Sequence, residues 1–144
     1  MKSFLVFMLL AFSLSASALT FLKGQVSSET FLYEVGNRNA DSSAVVGTIN
    51  ILSVPANVYV KDVHAFVETP IAGTSAEVLG DGAATNGFLV DGFAGTAGFY
   101  SASGSLKGSF DGAKFYSSAD TLDLVLTGTA TAGKIRFLVE YEAF

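Results

Sequence analysis

Lys134-Ile135-Arg136-Phe137-Leu138-Val139-Glu140-Tyr141-Glu142-Ala143-Phe144 is the stretch on which the reading of the fold turns. Ile135, Phe137, Val139 and Tyr141 fall on one side of an extended chain, and Arg136, Glu140 and Glu142 on the other, with Leu138 as the exception. A period of two marks a strand with one face buried, whereas a helix would repeat near 3.6. Residues 57–68 read the same way: Val58 and Val60 share a face, the phase slips near Lys61-Asp62, and Val63, Ala65 and Val67 resume it. A one-residue slip inside an alternating run is the sequence form of a β-bulge.

Working outward, residues 45–52 form a β-branched and aliphatic run that Pro55 closes. Residues 121–127 alternate Leu122, Leu124 and Leu126 against Asp123 and Val125, which predicts that Asp123 faces solvent. Residues 128–133 read as a turn-rich connector, and shorter strands are expected at 30–35, 75–79, 88–90, 99–102 and 114–117. Roughly eight to ten short strands separated by Gly, Asn, Asp and Ser predict an all-β chain, an antiparallel two-sheet β-sandwich. Residues 45–144 would form that sandwich, and residues 19–44 an N-terminal strand or an arm reaching to a neighbouring subunit.

The first eighteen residues read as a signal peptide. Lys2 gives a positive start, Phe4 to Phe12 an apolar run, and Ala16-Ser17-Ala18 a small-x-small end, so cleavage near Ala18 and a secreted product are expected. The apolar run is shorter than the ~20 residues a spanning helix needs, and no second long apolar run follows, so no helical membrane anchor is expected. There is no cysteine, which excludes disulfides and attachment through a lipidated cysteine. The mature chain would bury enough surface to fold without such staples.

The chain carries 8 Lys and Arg against 13 Asp and Glu, a net charge of −5. Losing Lys2 with the leader makes it more acidic still. An acidic chain with no basic cluster is unsuited to nucleic acid, whose binding rests on neutralised phosphates, and to anionic lipid surfaces. With 13 Phe and half its residues apolar, it is not disordered.

The residue types needed for catalysis are sparse. His64 is the lone histidine, on the strand face shared with Phe66 and Glu68, and no Gly-x-Ser-x-Gly elbow accompanies it. One His and no Cys are too few for a tetrahedral zinc site. Asp81, Asp91, Asp111, Asp120 and Asp123 sit in or beside glycine-rich turns, but lack EF-hand spacing, and Asp before Gly is ordinary turn chemistry. Asp120 with Asp123, and Glu140 with Glu142, do not read as carboxylates facing across a cleft. No strand-to-helix phosphate loop is present. The reading is therefore no catalytic residue, no metal and no cofactor.

Residues 80–120 pair Gly or Ser with aromatics: Gly87-Phe88, Gly92-Phe93, Gly98-Phe99-Tyr100, Ser109-Phe110 and Phe115-Tyr116. Such rings either turn inward between glycine turns or stand out as a contact surface. Phe93, Phe99, Tyr100, Phe110, Phe115, Tyr116 and His64 are the candidate interface or binding residues.

Several segments, in order, resemble a family of small β-sandwich virion proteins of tailed bacteriophages, of the tail-associated or head-decoration kind. They are Gly47-Thr48-Ile49-Asn50-Ile51-Leu52, Val58-Tyr59-Val60-Lys61-Asp62-Val63, Val67-Glu68-Thr69, Gly73-Thr74-Ser75-Ala76-Glu77-Val78 and Gly80-Asp81-Gly82. Ser118-Ala119-Asp120-Thr121-Leu122-Asp123, Leu126-Thr127-Gly128-Thr129-Ala130-Thr131-Ala132-Gly133-Lys134 and Phe137-Leu138-Val139-Glu140-Tyr141 complete the set. The resemblance implies a jelly-roll-like sandwich without catalytic residues. It further implies a symmetric homo-oligomer, commonly a trimer, in a particle or fibre. The leader departs from that family and points to use at a cell surface. Two other expectations stand beside it: a secreted adhesin that meets a protein or glycan through aromatic loops, and a small outer-membrane barrel ending in Phe144.

Overall fold

The computed structural model describes residues 24–144, so the signal peptide expected at residues 1–18 lies outside the described residues. Six strands follow one another: β1 (Val26–Glu34), β2 (Gly47–Val54), β3 (Val58–Asp81), β4 (Gly98–Ser101), β5 (Lys114–Tyr116) and β6 (Asp120–Ala143). All pairings between them are antiparallel, and one 3-10 turn spans Phe93–Gly95. The chain is all-β, as the period-two runs predicted.

Two strands of 24 residues organise everything else. The runs at 57–68 and 75–79 are one strand, β3, and those at 121–127 and 134–144 lie in one strand, β6. The expected connector at 128–133 is therefore corrected: it stays in β6, with Ala132 opposite Ala72 and Gly128 opposite Thr74. Its Gly and Thr content reflects a bend instead. The β3–β6 register shifts repeatedly between Val67 and Ala76, where Pro70 has no N–H to give to the ladder. Gly73 (φ 87) and Gly128 (φ 89) take a left-handed backbone there that residues with a Cβ disfavour.

The bend brings the ends of β3 together. Drawn straight, 24 residues would span about 80 Å. Yet Val58 and Val60 pair with Tyr116 and Lys114 of β5, and both of those side chains reach Asp81 at the other end of β3. The ends of β6 close up equally: Val54 pairs with Asp120 and Val58 with Ala143, with a short turn between Val54 and Val58. The continuous sheet thus folds into two layers. One holds β1, the second half of β6, the first half of β3, and β4 with β5. The other holds β2, the first half of β6, the second half of β3, and Leu89 bridging Leu79. This layering is that of a jelly roll.

Both layers feed one core. Val60, Val63, Ala65 and Val67 from the first half of β3 join Ile135, Phe137 and Val139 of β6, with Ile49, Ile51, Leu79, Leu122 and Leu124 from the second layer. The slip read at Lys61-Asp62 is a real bulge, with the register shifting between Val60 and Asp62. Asp62 Oδ1 accepts the Val63 N–H at 2.8 Å, which satisfies a donor at the break. β1 runs along β6 from Val26 opposite Glu142 to Glu34 opposite Lys134, and buries Tyr33. Apolar side chains fill most of the inside, with Glu77, Asp81 and Asp123 the buried acids among them, the reverse of a water-filled membrane barrel. Among the described residues no helix is long and apolar enough to cross a membrane.

Residues 88–90 do not form the expected strand; Leu89 makes single bridges to Leu79 and Lys107. The glycines beside it permit unusually close packing. A Cβ on Gly87 would sit 2.1 Å from the Phe110 ring, and one on Gly108 only 1.9 Å from the Asn86 carbonyl oxygen.

Candidate functional site

The seven candidate residues divide between the interior and the surface. Phe93 is fully buried, with edge-on contacts to Tyr100 at 6.4 Å and Phe137 at 6.5 Å between ring centres. Tyr116 is also core, and its hydroxyl donates to Asp81 Oδ2 at 2.9 Å. Burial, then that hydrogen bond, push the Tyr116 hydroxyl far above its ordinary range. Phe110 packs edge-on against Phe88 beneath the Lys114 ammonium, and Tyr100 donates to the Thr96 carbonyl oxygen at 3.0 Å. These four rings are spent on packing. His64, Phe99 and Phe115 remain at the surface.

His64 and Phe99 stack with ring centres 5.2 Å apart. The bulge at Asp62 sets the phase of β3 so that Val63, Ala65 and Val67 point inward and His64 and Phe66 outward. Phe66 lies directly opposite both Phe99 of β4 and Arg136 of β6, and His64 opposite Ser101 and Leu138. Thr30 of β1 faces Leu138 from the other side. Thr30, His64, Phe66, Phe99, Arg136 and Leu138 line a hollow of about 280 Å³ on the outer face of the first layer. Phe66 is 49 % and Phe99 62 % exposed. Leu138, the exception in the opening stretch, sits at the centre of this apolar patch.

Charge rims the patch. On one side Lys134 and Arg136 share the Glu68 carboxylate at 3.0 and 3.1 Å, and Lys134 also lies 3.7 Å from Glu34. Those hydrogen bonds, Lys134 first, hold the Glu68 carboxyl below its usual range. On the other side Lys61 lies 3.6 Å from Glu142, and Glu140 lies 3.6 Å from His64. An apolar centre with a polar rim is the anatomy of a protein contact surface. A second exposed pair, Phe115 and Phe144, meets edge-on at 6.1 Å near Tyr59.

The acidic residues are otherwise engaged. Asp81 is fully buried and accepts from Lys114, Tyr116 and the N–H groups of Ala83 and Ala84. Burial alone would raise its carboxyl; these hydrogen bonds, that of Lys114 foremost, outweigh burial and hold it below the ordinary range. Asp123 corrects the expectation of a solvent-facing residue, because it is 8 % exposed. Burial, then the charges of Asp120 and Asp81, push its carboxyl up. Asp91 accepts the Glu77 N–H at 3.0 Å, and Asp111 pairs with Lys107.

Phe66 and Arg136 were not singled out from sequence, although the alternation that placed His64 outward places Phe66 beside it. The pairing of Phe66 with Phe99, residues far apart in the chain, had no sequence signal.

Connectivity and surface define the class as an antiparallel jelly roll with an aromatic outer face. Two solved structures have this fold. One is a chain of the cyanophage Pam1 capsid asymmetric unit, with 15 % identity, a TM-score of 0.58, and 93 % of this chain and 96 % of that chain covered. The other is a chain of the acidic stable capsid structure of Helicobacter pylori bacteriophage KHP30, with 17 % identity, a TM-score of 0.53, and coverage of 82 % and 91 %. The resemblance to phage virion proteins read from the residues is matched by a likeness of fold. No protein-family model matches the chain, and no curated protein matches it.

Proposed function

We propose that this chain is a non-enzymatic structural protein that assembles in many copies into a phage-like particle or fibre. The observation that carries the reading is the jelly roll shared over nearly the whole of both chains with a phage capsid component. The aromatic face around Leu138 supports the same reading, since it supplies apolar surface for a neighbour. A three-copy building unit follows the resemblance read in the sequence, and the signal-peptide pattern of residues 1–18 supports an exported form.

Light scattering on the purified mature chain across a hundredfold concentration range tests this. An oligomer whose mass grows with concentration is the expected result. A clean monomer at the highest concentration overturns it.

A further inference from the structure

Five side chains of β6 point outward from the first layer: Lys134, Arg136, Leu138, Glu140 and Glu142. Two cations precede the leucine and two carboxylates follow it. Turned end for end, the row meets its own complement. Most of these charges already have partners on the sheet. Two are under-compensated. Arg136, half exposed, has only a share of Glu68, which it divides with Lys134. Glu140, 43 % exposed, has as its ion partner His64, a cation only when protonated. They lie one position either side of Leu138 on the same face, about 7 Å from it along the strand.

We propose that the outer face of the first layer binds the same face of a second copy across a two-fold axis that lies in the contact plane and crosses β6 over Leu138. The proposal rests on the assembly reading above and names the contact. In this arrangement the two β6 strands run antiparallel, about 10 Å apart. Leu138 meets Leu138 of the second copy, and Arg136 meets Glu140 of the second copy twice over, as a self-complementary interface requires. Lys134 comes over Glu142 of the second copy. Phe66 and Phe99 flank the Arg136–Glu140 pairs and keep water from them. Asp62, which comes under Phe66 of the second copy, is held by the Ser101 and Ser103 hydroxyls at 2.9 and 2.8 Å.

Size sets the strength. Nine residues of β6 by four strands give a flat face of about 570 Å² per copy, about 1,100 Å² for the pair. That lies at the lower limit of specific contacts, about 1,000–1,200 Å². The contact is therefore reversible and concentration-dependent, and firm only when repeated in an assembly.

Reciprocal charge reversal tests the geometry. Arg136→Glu alone sets glutamates at 136 against Glu140, and Glu140→Arg alone sets arginines at 140 against Arg136. Each variant weakens association roughly ten-fold or more in sedimentation velocity, with an unchanged circular dichroism spectrum. An equimolar mixture of the two recovers wild-type association, because every contact is then of opposite sign. Residues 136 and 140 are too far apart along one strand to restore each other within a chain. Oligomers that persist while both single variants associate normally, or a mixture that fails to recover, overturn the two-fold contact and leave the assembly reading standing. A wild-type chain that is monomeric throughout overturns both.

Discussion

Lys114→Met removes the cation that reaches Asp81, the fully buried carboxylate holding the far end of β3 against β5. Stripping a buried carboxylate of its cation costs about 3–5 kcal/mol. The Tyr116 hydroxyl and the N–H groups of Ala83 and Ala84 stay in place, which puts the loss near the lower end. At about 4 °C per kcal/mol for a domain of this size, the melting temperature falls by about 12 °C at pH 7. The pH dependence follows from the direction of the Asp81 shift. In the wild-type chain the carboxyl is held below its ordinary range, so its contribution is present at neutral pH. That contribution is lost only as pH falls through the lowered folded value. In the variant, burial is less opposed and the carboxyl moves up, so the destabilisation builds as pH rises above about 4 and is absent below. The difference between the two chains is therefore full at pH 7 and closes on acidification. Thermal melts followed by circular dichroism between pH 3 and 7 measure both effects. Adding Asp81→Asn to Lys114→Met removes the buried charge and recovers more than half of the loss. A deficit below about 1 kcal/mol at pH 7, or one that persists unchanged at pH 3, refutes the reasoning.

Asp123→Asn acts in the opposite direction. Its carboxyl is raised by burial and then by Asp120 and Asp81, so the charged form is disfavoured in the fold; the variant gains on the order of 1 kcal/mol at pH 7, and urea midpoints show the gain vanishing below about pH 4. Gly108→Ala, whose Cβ would meet the Asn86 carbonyl oxygen at 1.9 Å, loses about 3 kcal/mol. Gly95→Ala, with nothing within 4 Å of its Cβ, stays within about 0.5 kcal/mol of wild type in the same denaturation assay. Intact-mass spectrometry of the chain expressed in a secreting host is expected to find residues 19–144; full-length product in the exported fraction counts against the leader.

The strands were legible because burial of one face imprints a period of two on the residues themselves. The opening stretch, the slip at Lys61-Asp62 and the leucines at 122, 124 and 126 all carried it. The same rule misplaced Asp123, which alternation alone sends to solvent. It also split β3 and β6 in two, since Gly73, Gly128 and Gly133 look like a turn when the partner strand is out of view. Backbone hydrogen bonds to the opposite strand keep such residues extended, and no local signal reports them.

The aromatic pairs of residues 80–120 show the same division. Glycine beside phenylalanine is visible in sequence, but whether the glycine admits a ring, as Gly87 does for Phe110, is a property of two distant segments. Four of the seven candidate side chains turned inward, Phe110 against Gly87 among them, and Phe66 joined the surface through its pairing with Phe99.

The residues by themselves determined an acidic all-β chain without disulfides, one strand of which carries two cations, a leucine and two carboxylates on its outer face. These are local properties, written in alternation and charge. Only the tertiary structure decided that β3 and β6 bend back on themselves, that the two halves share one core, and that His64, Phe66, Phe99 and Leu138 meet on one face. Such contacts join segments far apart along the chain, and chain order carries no record of which distant strand lies alongside.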